Sequence, residues 1–255
     1  MKPLFKSLSE KFSPQKMGPH IFLHLHKCGG TTLMNCIDQN YDANRIFAIN
    51  GARYRDSYNE FKALPKKKRV KIDLLRGHHF FGSHAYLRDT AVYFTMVREP
   101  YDRLASLYNY LRHIDLYTEI NQQDMNLAEF LDSGLAMAAD NGMARMLTAN
   151  DFDTLPNGEV SANLASEALE NIMSHFAAVG IMEEFDASLQ LFKQKLGWKV
   201  VPSYEVKNKL GQKQMEAEAV KDFFDTNPEY KRYIHVDVHI YEEVRTRFVN
   251  SIKEL

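Results

Sequence analysis

The sequence has little cysteine, with only Cys28 and Cys36 among its 255 residues. Two cysteines cannot form the disulfide framework of a small secreted domain, and neither belongs to a cysteine cluster with the spacing of a zinc site. This scarcity favours a reducing compartment. We therefore predict that the protein is cytoplasmic.

An excess of charge and long apolar runs are also missing. The 32 Lys and Arg residues are balanced by 33 Asp and Glu residues, so any site for a polyanion has to be local. A membrane-spanning helix needs about 18 or more apolar residues, and residues 1–18 have neither such a run nor the apolar core of a signal peptide. We predict no nucleic-acid partner and no stable membrane insertion, and the sequence leaves the oligomeric state open.

Apolar strand-like segments alternate with segments of helical periodicity along the chain. The predicted strands are residues 20–26, 45–50, 71–78, 91–98 and 177–182, and the clearest helices are residues 56–64, 164–176, 185–196 and 236–252, with another beginning at Pro100. This order predicts an α/β protein with a parallel β-sheet and helices on both faces. We divide the chain into an N-terminal extension, residues 1–19, and one domain, residues 20–255. Within that domain, residues 115–159 form a helical insertion in which we place the choice of acceptor.

The first segment that carries chemistry lies between the first predicted strand and the helix after it. It consists of Lys27, Cys28, Gly29, Gly30, Thr31 and Thr32. A strand that enters a helix through such a loop directs backbone N–H groups, a helix N-terminus and one ammonium to a single point, which suits a phosphate group. The lysine precedes the glycines, so the loop is not a Walker A motif. A simple glycine turn with Thr as the helix cap is the alternative.

The second segment begins where the fourth predicted strand ends. Arg98 closes that strand, Pro100 fits the first turn of the following helix, and Ser106 lies two turns into it. Arg98 and Ser106 can therefore face the crevice at the carboxyl ends of the strands, where open α/β sheets bind ligands. An Arg fork with a hydroxyl suits a terminal phosphate. The alternative is that Arg98 forms a surface ion pair with Glu99 or Asp102.

Together the two segments resemble the paired signatures of sulfotransferases that use 3'-phosphoadenosine 5'-phosphosulfate (PAPS). The resemblance is closest to the carbohydrate branch that contains the heparan 2-O-sulfotransferase-like enzymes, in which the first loop holds the 5'-phosphosulfate and an R-x-P-x-x-R-x-x-S segment holds the 3'-phosphate. The second segment matches at Arg98, Pro100, Arg103 and Ser106, whereas the first has His26 and Cys28 in place of Pro and Thr. The resemblance implies a P-loop-like sulfotransferase fold. It also implies that PAPS is bound by residues 27–32, Arg98 and Ser106.

Further segments extend the resemblance over roughly residues 20–250. They are the Gly-His segment at residues 77–82, the Asp-Asn-x-x-x-Arg helix at residues 140–147 and the Val-Gly run at residues 179–185. The resemblance places the catalytic base at the histidine of the Gly-His segment, which is His78. A neutral imidazole suits that role, and Lys27 supplies a cation beside the bridging oxygen of the donor. The neighbouring His79 points to the opposite side if the segment is extended, and so we favour His78.

These observations predict an enzyme that transfers a sulfuryl group from PAPS to an acceptor hydroxyl and releases adenosine 3',5'-bisphosphate. The acceptor is a small molecule or a glycan, and the missing anchor and disulfides suggest a bacterial-type enzyme. His20, His24 and His26 share one side of a strand, but no carboxylate or cysteine joins them and we predict no metal. The alternatives are a nucleotide-dependent phosphotransferase or kinase, and a non-catalytic protein that binds a nucleotide or a sulfated glycan.

Overall fold

A computed structural model describes residues 18–88, 90–114, 118–149, 154–204 and 215–253. Within these residues the five strands form one sheet with the order β2-β3-β1-β4-β5, and every pair of neighbouring strands is parallel. The strands are β1 (His20–Leu23), β2 (Ile46–Ala48), β3 (Leu74–Gly77), β4 (Val92–Val97) and β5 (Phe176–Ile181). This sheet confirms the predicted fold class.

Eleven α-helices connect the strands or follow the sheet in the described part of the chain. They are α1 (Gly30–Asp38), α2 (Tyr54–Ala63), α3 (Lys66–Arg69), α4 (Pro100–Leu111), α5 (Thr118–Gln122), α6 (Leu127–Ser133), α7 (Gly142–Leu147), α8 (Asn163–His175), α9 (Phe185–Leu196), α10 (Ala217–Thr226) and α11 (His235–Ile252). None of the helices in these ranges is both long and apolar enough to cross a bilayer.

Local sequence explains several helix ends. Pro100 occupies the first turn of α4, where its missing N–H costs nothing, and the side chain of Glu99 accepts a hydrogen bond from the backbone N–H of Asp102. Asn126 and Glu129 form a reciprocal capping box at the start of α6. These caps explain why α4 and the start of α6 were predictable from sequence.

The first strand is shorter than its sequence pattern predicts. It ends at Leu23, so His24 and His26 lie in the loop that leads to Lys27 instead of in the predicted strand of residues 20–26. The φ angle of Lys27 is +64°, in the left-handed region that a strand cannot accommodate. The alternation of residues 20–26 therefore continues past the point where the backbone leaves the sheet.

The topology places a crevice beside the carboxyl end of β1. From β1 the chain proceeds to β2 on one side of the sheet, whereas from β4 it proceeds to β5 on the other side. Two adjacent parallel strands whose connections diverge in this way leave a gap between the loops that follow them. The loops at this switch point begin with His24 after β1 and with Arg98 after β4.

Two apolar clusters support the sheet. The larger cluster contains the strands and the inner faces of α1, α8, α9 and α11. The smaller one joins α4 to α6 and α10, with Leu104, Phe130 and Phe224 among its buried members. The described residues between 118 and 149 contain only helical elements, and α7 is buried against the larger cluster. Of these residues, those of α6 pack beside α4 in the smaller cluster.

Candidate active site

The loop after β1 has the backbone geometry of an anion site. Gly29 has a φ angle of +70° and precedes α1, which has no side-chain cap and no acidic residue in its first turn. The backbone N–H groups of Gly30, Thr31 and Thr32 therefore point out of the helix end, and the partial positive charge of the helix is not offset there. This end of α1 can accept a phosphate or sulfate group.

Close packing explains the second glycine of the loop. A Cβ atom on Gly30 would lie 1.5 Å from Nε2 of His24, a distance that no side chain tolerates. Only a hydrogen atom at this position allows the His24 ring to lie against the start of α1. The loop and the histidine after β1 are thus one packed unit.

The two motif segments meet in the structure. Arg98 donates a hydrogen bond from Nη1 to the backbone carbonyl oxygen of Lys27 at 3.3 Å. Its Nη2 also lies 3.6 Å from Oδ1 of Asp102, so the ion pair that the sequence offered as an alternative is present. The Arg98 side chain is 25% exposed. A partly exposed ion pair of this kind contributes little free energy, so an incoming anion can replace Asp102 as the partner of Arg98 at little cost.

One face of α4 lines the crevice. Asp102, Ser106 and Tyr110 lie four residues apart and so share this face. Arg98 contacts Asp102 at one end of the face, while Lys27 places Nζ 3.9 Å from the ring centroid of Tyr110 at the other end. Ser106, which is half-buried, lies on this face between the two contacts.

Tyr110 is a site residue that the sequence analysis did not identify. Its side chain is 41% exposed, which is high for a large aromatic residue, and its ring forms a cation–π contact with Lys27. Tyr110 lies four residues after Ser106, so helical spacing could have indicated that it shares a face of α4 with Ser106. The contact with Lys27 depends on the crossing of the loop and the helix, which sequence spacing does not specify.

The environment of Lys27 favours the loss of its proton. Burial, and next the nearby guanidinium of Arg98, lower the pKa of Lys27 to about 8. The left-handed backbone of a residue that is not glycine costs about 1–3 kcal/mol, which the surrounding packing has to offset. A strained lysine with a lowered pKa in a crevice is typical of a functional site.

Cys28 contributes only its backbone to the loop. The side chain is buried, its Sγ lies 3.6 Å from the carbonyl oxygen of His26, and burial raises the pKa of the thiol to about 12. The thiol therefore stays protonated and faces the core. The sulfotransferase motif has threonine at this position. Cys28 therefore lacks the hydroxyl group that could contact an anion, but it keeps the backbone N–H.

Arg103 has a structural position, although it matches the second motif. It is 1% exposed, its Nη2 lies 3.0 Å from Oδ2 of Asp237 on α11, and its Nη1 donates to the carbonyl of Ala138. A guanidinium with these partners is not available to a phosphate in the crevice. In this segment Arg98 and Ser106 face the crevice and Arg103 faces the interior.

His78 lies at the carboxyl end of β3, across the crevice from α4. Its Nδ1 is 2.7 Å from the carbonyl oxygen of His24, and its ring is stacked between those of His24 and His26. Burial, and to a smaller extent the ammonium of Lys27, lower the pKa of His78, while the hydrogen bond to His24 opposes this effect. His78 is therefore a neutral imidazole at neutral pH.

Other histidines near this edge have different surroundings. His79 is buried, and its Nδ1 lies within hydrogen-bond distance of Ser83 and of the Phe80 carbonyl. His20 lies at the amino end of β1 and contacts the hydroxyl of Tyr41. The three histidines of the predicted strand are thus separated, with His20 at the opposite edge of the sheet from His24 and His26.

A helical N-terminus, a lysine and an arginine at the switch point of a parallel sheet define the class of the protein: an α/β protein with a candidate anion site at the carboxyl edge of its sheet. The galactose-3-O-sulfotransferase family model matches residues 3–255, which is nearly the whole chain. The chain therefore belongs to the galactose-3-O-sulfotransferase family. No curated protein matches it at a significant level.

The family match supports sulfuryl transfer to a carbohydrate, as the resemblance implied. It does not confirm the heparan 2-O-sulfotransferase-like branch or the bacterial type. The matched range also extends on both sides beyond residues 20–250, which contain the segments that resemble sulfotransferase motifs. Membership rests on the whole chain, whereas the roles of individual residues rest on the geometry of the crevice.

Proposed function

We propose that the protein transfers a sulfuryl group from PAPS to a hydroxyl group of a carbohydrate. The observation that carries this proposal is the hydrogen bond between Arg98 and the Lys27 carbonyl. It joins two cationic β-to-α junctions in one crevice, within reach of the two anionic ends of a single nucleotide. Family membership supports the reaction class.

The residues of the crevice fit an adenine nucleotide with two anionic groups. The N–H groups at the start of α1 and the ammonium of Lys27 would hold the 5'-phosphosulfate. Arg98 and Ser106 would hold the 3'-phosphate, with Arg98 exchanging its weak pairing with Asp102 for a phosphate. When bound, PAPS supplies an activated sulfuryl group on a phosphate leaving group.

We infer that His78 accepts the proton of the acceptor hydroxyl. Because its Nδ1 is hydrogen-bonded to a carbonyl, Nε2 carries the lone pair. Nε2 of His78 would take the proton of the hydroxyl as its oxygen bonds to sulfur in place of the phosphate, which would leave with the negative charge on its oxygen. Lys27 and the N–H groups of α1 stabilise the negative charge that develops there.

The family description names the acceptor class that we propose. It specifies the 3-hydroxyl of galactose, and we infer that a galactoside is a better first acceptor than heparan for this chain. Within the predicted helical insertion, α6 packs beside α4, which supports the prediction that this segment selects the acceptor. An acceptor screen that includes galactosides and heparan fragments tests both statements.

The first experiment separates donor binding from proton transfer. Calorimetry measures the binding of adenosine 3',5'-bisphosphate, and transfer of radiolabelled sulfate to the acceptor measures turnover. We expect Lys27→Ala to weaken nucleotide binding by about 10- to 100-fold, since a charge-assisted contact is lost. We expect His78→Gln to leave nucleotide binding within about threefold and to reduce the rate of transfer by about 100- to 10,000-fold.

Matched controls come from exposed residues of the same types. Lys66→Ala on α3 and His235→Gln at the start of α11 should change neither binding nor transfer. Unchanged transfer in both Lys27→Ala and His78→Gln would contradict the assigned roles. Tight binding of ATP with Mg²⁺ in preference to adenosine 3',5'-bisphosphate would favour a phosphotransferase, and nucleotide binding without transfer to any acceptor would favour a non-catalytic binder.

A further inference from the structure

Three imidazole rings are stacked at the carboxyl edge of the sheet. The ring centroids of His24 and His78 are 4.0 Å apart and those of His26 and His78 are 4.1 Å apart, with interplanar angles of 21° and 14°. We propose that His26, together with His24, is a positioning residue that holds His78 in one plane and one tautomer for proton abstraction. This inference rests on the proposed function, in which His78 is the base.

A single hydrogen bond selects the tautomer of His78. The carbonyl oxygen of His24 can only accept, so Nδ1 of His78 must donate across the 2.7 Å separation. The other nitrogen, Nε2, is then left as the proton acceptor. A half-turn of the ring about the Cβ–Cγ bond would put Cδ2 in the place of Nδ1 and would break this bond.

The stacked rings prevent that turn. His24 covers one face of His78 and His26 covers the other, at distances that leave no room for the His78 ring to rotate between them. The edge of the ring is also close to the backbone, since a Cβ atom on Gly51 would lie 3.2 Å from Cδ2 of His78. Packing on two faces and one edge thus supports the geometry that the hydrogen bond selects.

The charges around the stack also keep it neutral. The groups that face His78 are His24, His26 and Lys27, while Arg76 and Arg103 act on the outer rings of the stack. All of them are neutral or cationic, and burial and these neighbours lower the pKa values of all three imidazoles. A base that is neutral at pH 7 is ready to accept a proton from a hydroxyl.

His26 is the member of the stack that a mutation can test most cleanly. It is half-buried, whereas His24 is buried against Gly30 and its removal would disturb the anion loop. His26→Phe keeps an aromatic face against His78 without a ring nitrogen. His26→Ala removes the face and opens His78 to water.

We expect His26→Phe to retain wild-type turnover within about threefold and to keep the acid limb of the pH profile of kcat/KM. We expect His26→Ala to lower kcat by about 10- to 100-fold with a smaller change in KM, because the base loses its orientation. Its acid limb should also move to higher pH, since the pKa of His78 rises towards the ordinary value of 6.5 when water reaches the ring.

Long-range ¹H–¹⁵N spectra of histidine-labelled protein give a second measurement that does not require turnover. The resonances of His78 are identified by their loss in His78→Gln. We expect the tautomer with a proton on Nδ1 in the wild type and in His26→Phe, and a mixture of tautomers in His26→Ala. If no donor or acceptor supports turnover, the proposed function fails, and these spectra still decide whether the stack selects the tautomer.

Three results would overturn the inference. The first is a proton on Nε2 of His78 in the wild type. The second is loss of activity in His26→Phe equal to that in His26→Ala, which would mean that the His26 nitrogens act instead of its ring face. The third is a loss of kcat in His26→Ala with tautomer and acid limb unchanged, which is the result of general structural damage.

Discussion

Lys27 combines three properties that rarely occur in one surface lysine. Its backbone is left-handed, its carbonyl accepts a hydrogen bond from Arg98, and its ammonium lies over the ring of Tyr110. Burial and Arg98 together lower its pKa to about 8. An anion bound beside Lys27 would favour the charged form, so the binding of an anion and the uptake of a proton are linked.

This linkage predicts a pH dependence of nucleotide binding. At neutral pH Lys27 is an ammonium, and above pH 8 the free protein loses this charge and has to take up a proton when the anion binds. We expect the affinity for adenosine 3',5'-bisphosphate, measured by calorimetry between pH 7 and 9.5, to fall above pH 8 by up to about tenfold per pH unit. Lys27→Arg stays charged across this range and should give a flat profile. The same decline in both proteins would assign the titration to another group.

At the scale of elements, the start of α1 requires two residues without a side chain, Gly29 and Gly30. Gly29 reverses the backbone with a φ angle of +70°, and Gly30 brings the helix against the His24 ring. Helix propensity alone favours alanine over glycine by roughly 0.5–1 kcal/mol. Packing at Gly30 opposes that preference. For Gly30→Ala, helix propensity therefore predicts a more stable protein, whereas packing predicts a less stable one.

We expect Gly30→Ala to destabilise the protein by about 1–3 kcal/mol, because the new Cβ would overlap Nε2 of His24 in a buried position. The free energy of unfolding in urea measures this effect. Thr31→Ala, at the next and exposed position of the same helix, should stay within about 0.5 kcal/mol of the wild type. Stabilisation by Gly30→Ala would mean that the ring moves freely and that propensity dominates.

At the scale of the whole molecule, a buried ion pair connects α4 to the last helix. Arg103 on α4 pairs with Asp237 on α11, and the two carboxylate oxygens of Asp237 also accept the N–H groups of Met143 and Ala144 on α7. Both side chains are almost completely buried, at 1% and 0% exposure. This network fixes α4, and therefore Ser106 and Tyr110, relative to the rest of the protein.

We expect Arg103→Met to lower the free energy of unfolding by about 3–5 kcal/mol, because it leaves the Asp237 carboxylate buried without its cation. Arg53 forms the matched control, since its pair with Glu60 is exposed at 59% and 60% and should contribute about 0–1 kcal/mol. Urea unfolding of Arg103→Met and Arg53→Met compares the two. Equally small losses of unfolding free energy in the two variants would contradict this prediction, because they would mean that water or a rearranged side chain stabilises the Asp237 carboxylate.

The fold was largely predictable because it depends on local patterns. The helix α9 has the predicted bounds of residues 185–196, since its apolar spacing and the terminal Gly197 define both ends. The strand β4 lies inside its predicted range, since six consecutive buried residues indicate a strand covered on both faces. The end of β1 was predicted wrongly, because its pairing with β3 ends where Leu23 lies opposite Gly77, whereas the alternation in the sequence continues to His26.

The candidate site was predictable only in part. Residues 27–32, Arg98 and His78 were candidates from sequence because each follows a predicted strand and carries a side chain or backbone suited to an anion or a proton. In the structure Arg98 and His78 directly follow strands, whereas residues 27–32 follow β1 after a short loop. Tyr110 was not identified, and Arg103 turned out to face the interior. Both depend on which side of α4 meets which neighbour, and helical spacing gives the faces of a helix but not their partners.

Sequence by itself determined the order of strands and helices, the glycine loop and the residues at the strand ends, because backbone preferences and apolar periodicity act over a few neighbouring positions. The tertiary structure decided that Arg98 reaches the Lys27 carbonyl, that Lys27 lies over Tyr110 and that His24, His78 and His26 form one stack. Each of these contacts joins residues that are distant in the chain, and only the packing of the parallel sheet with its helices brings them within a few ångströms.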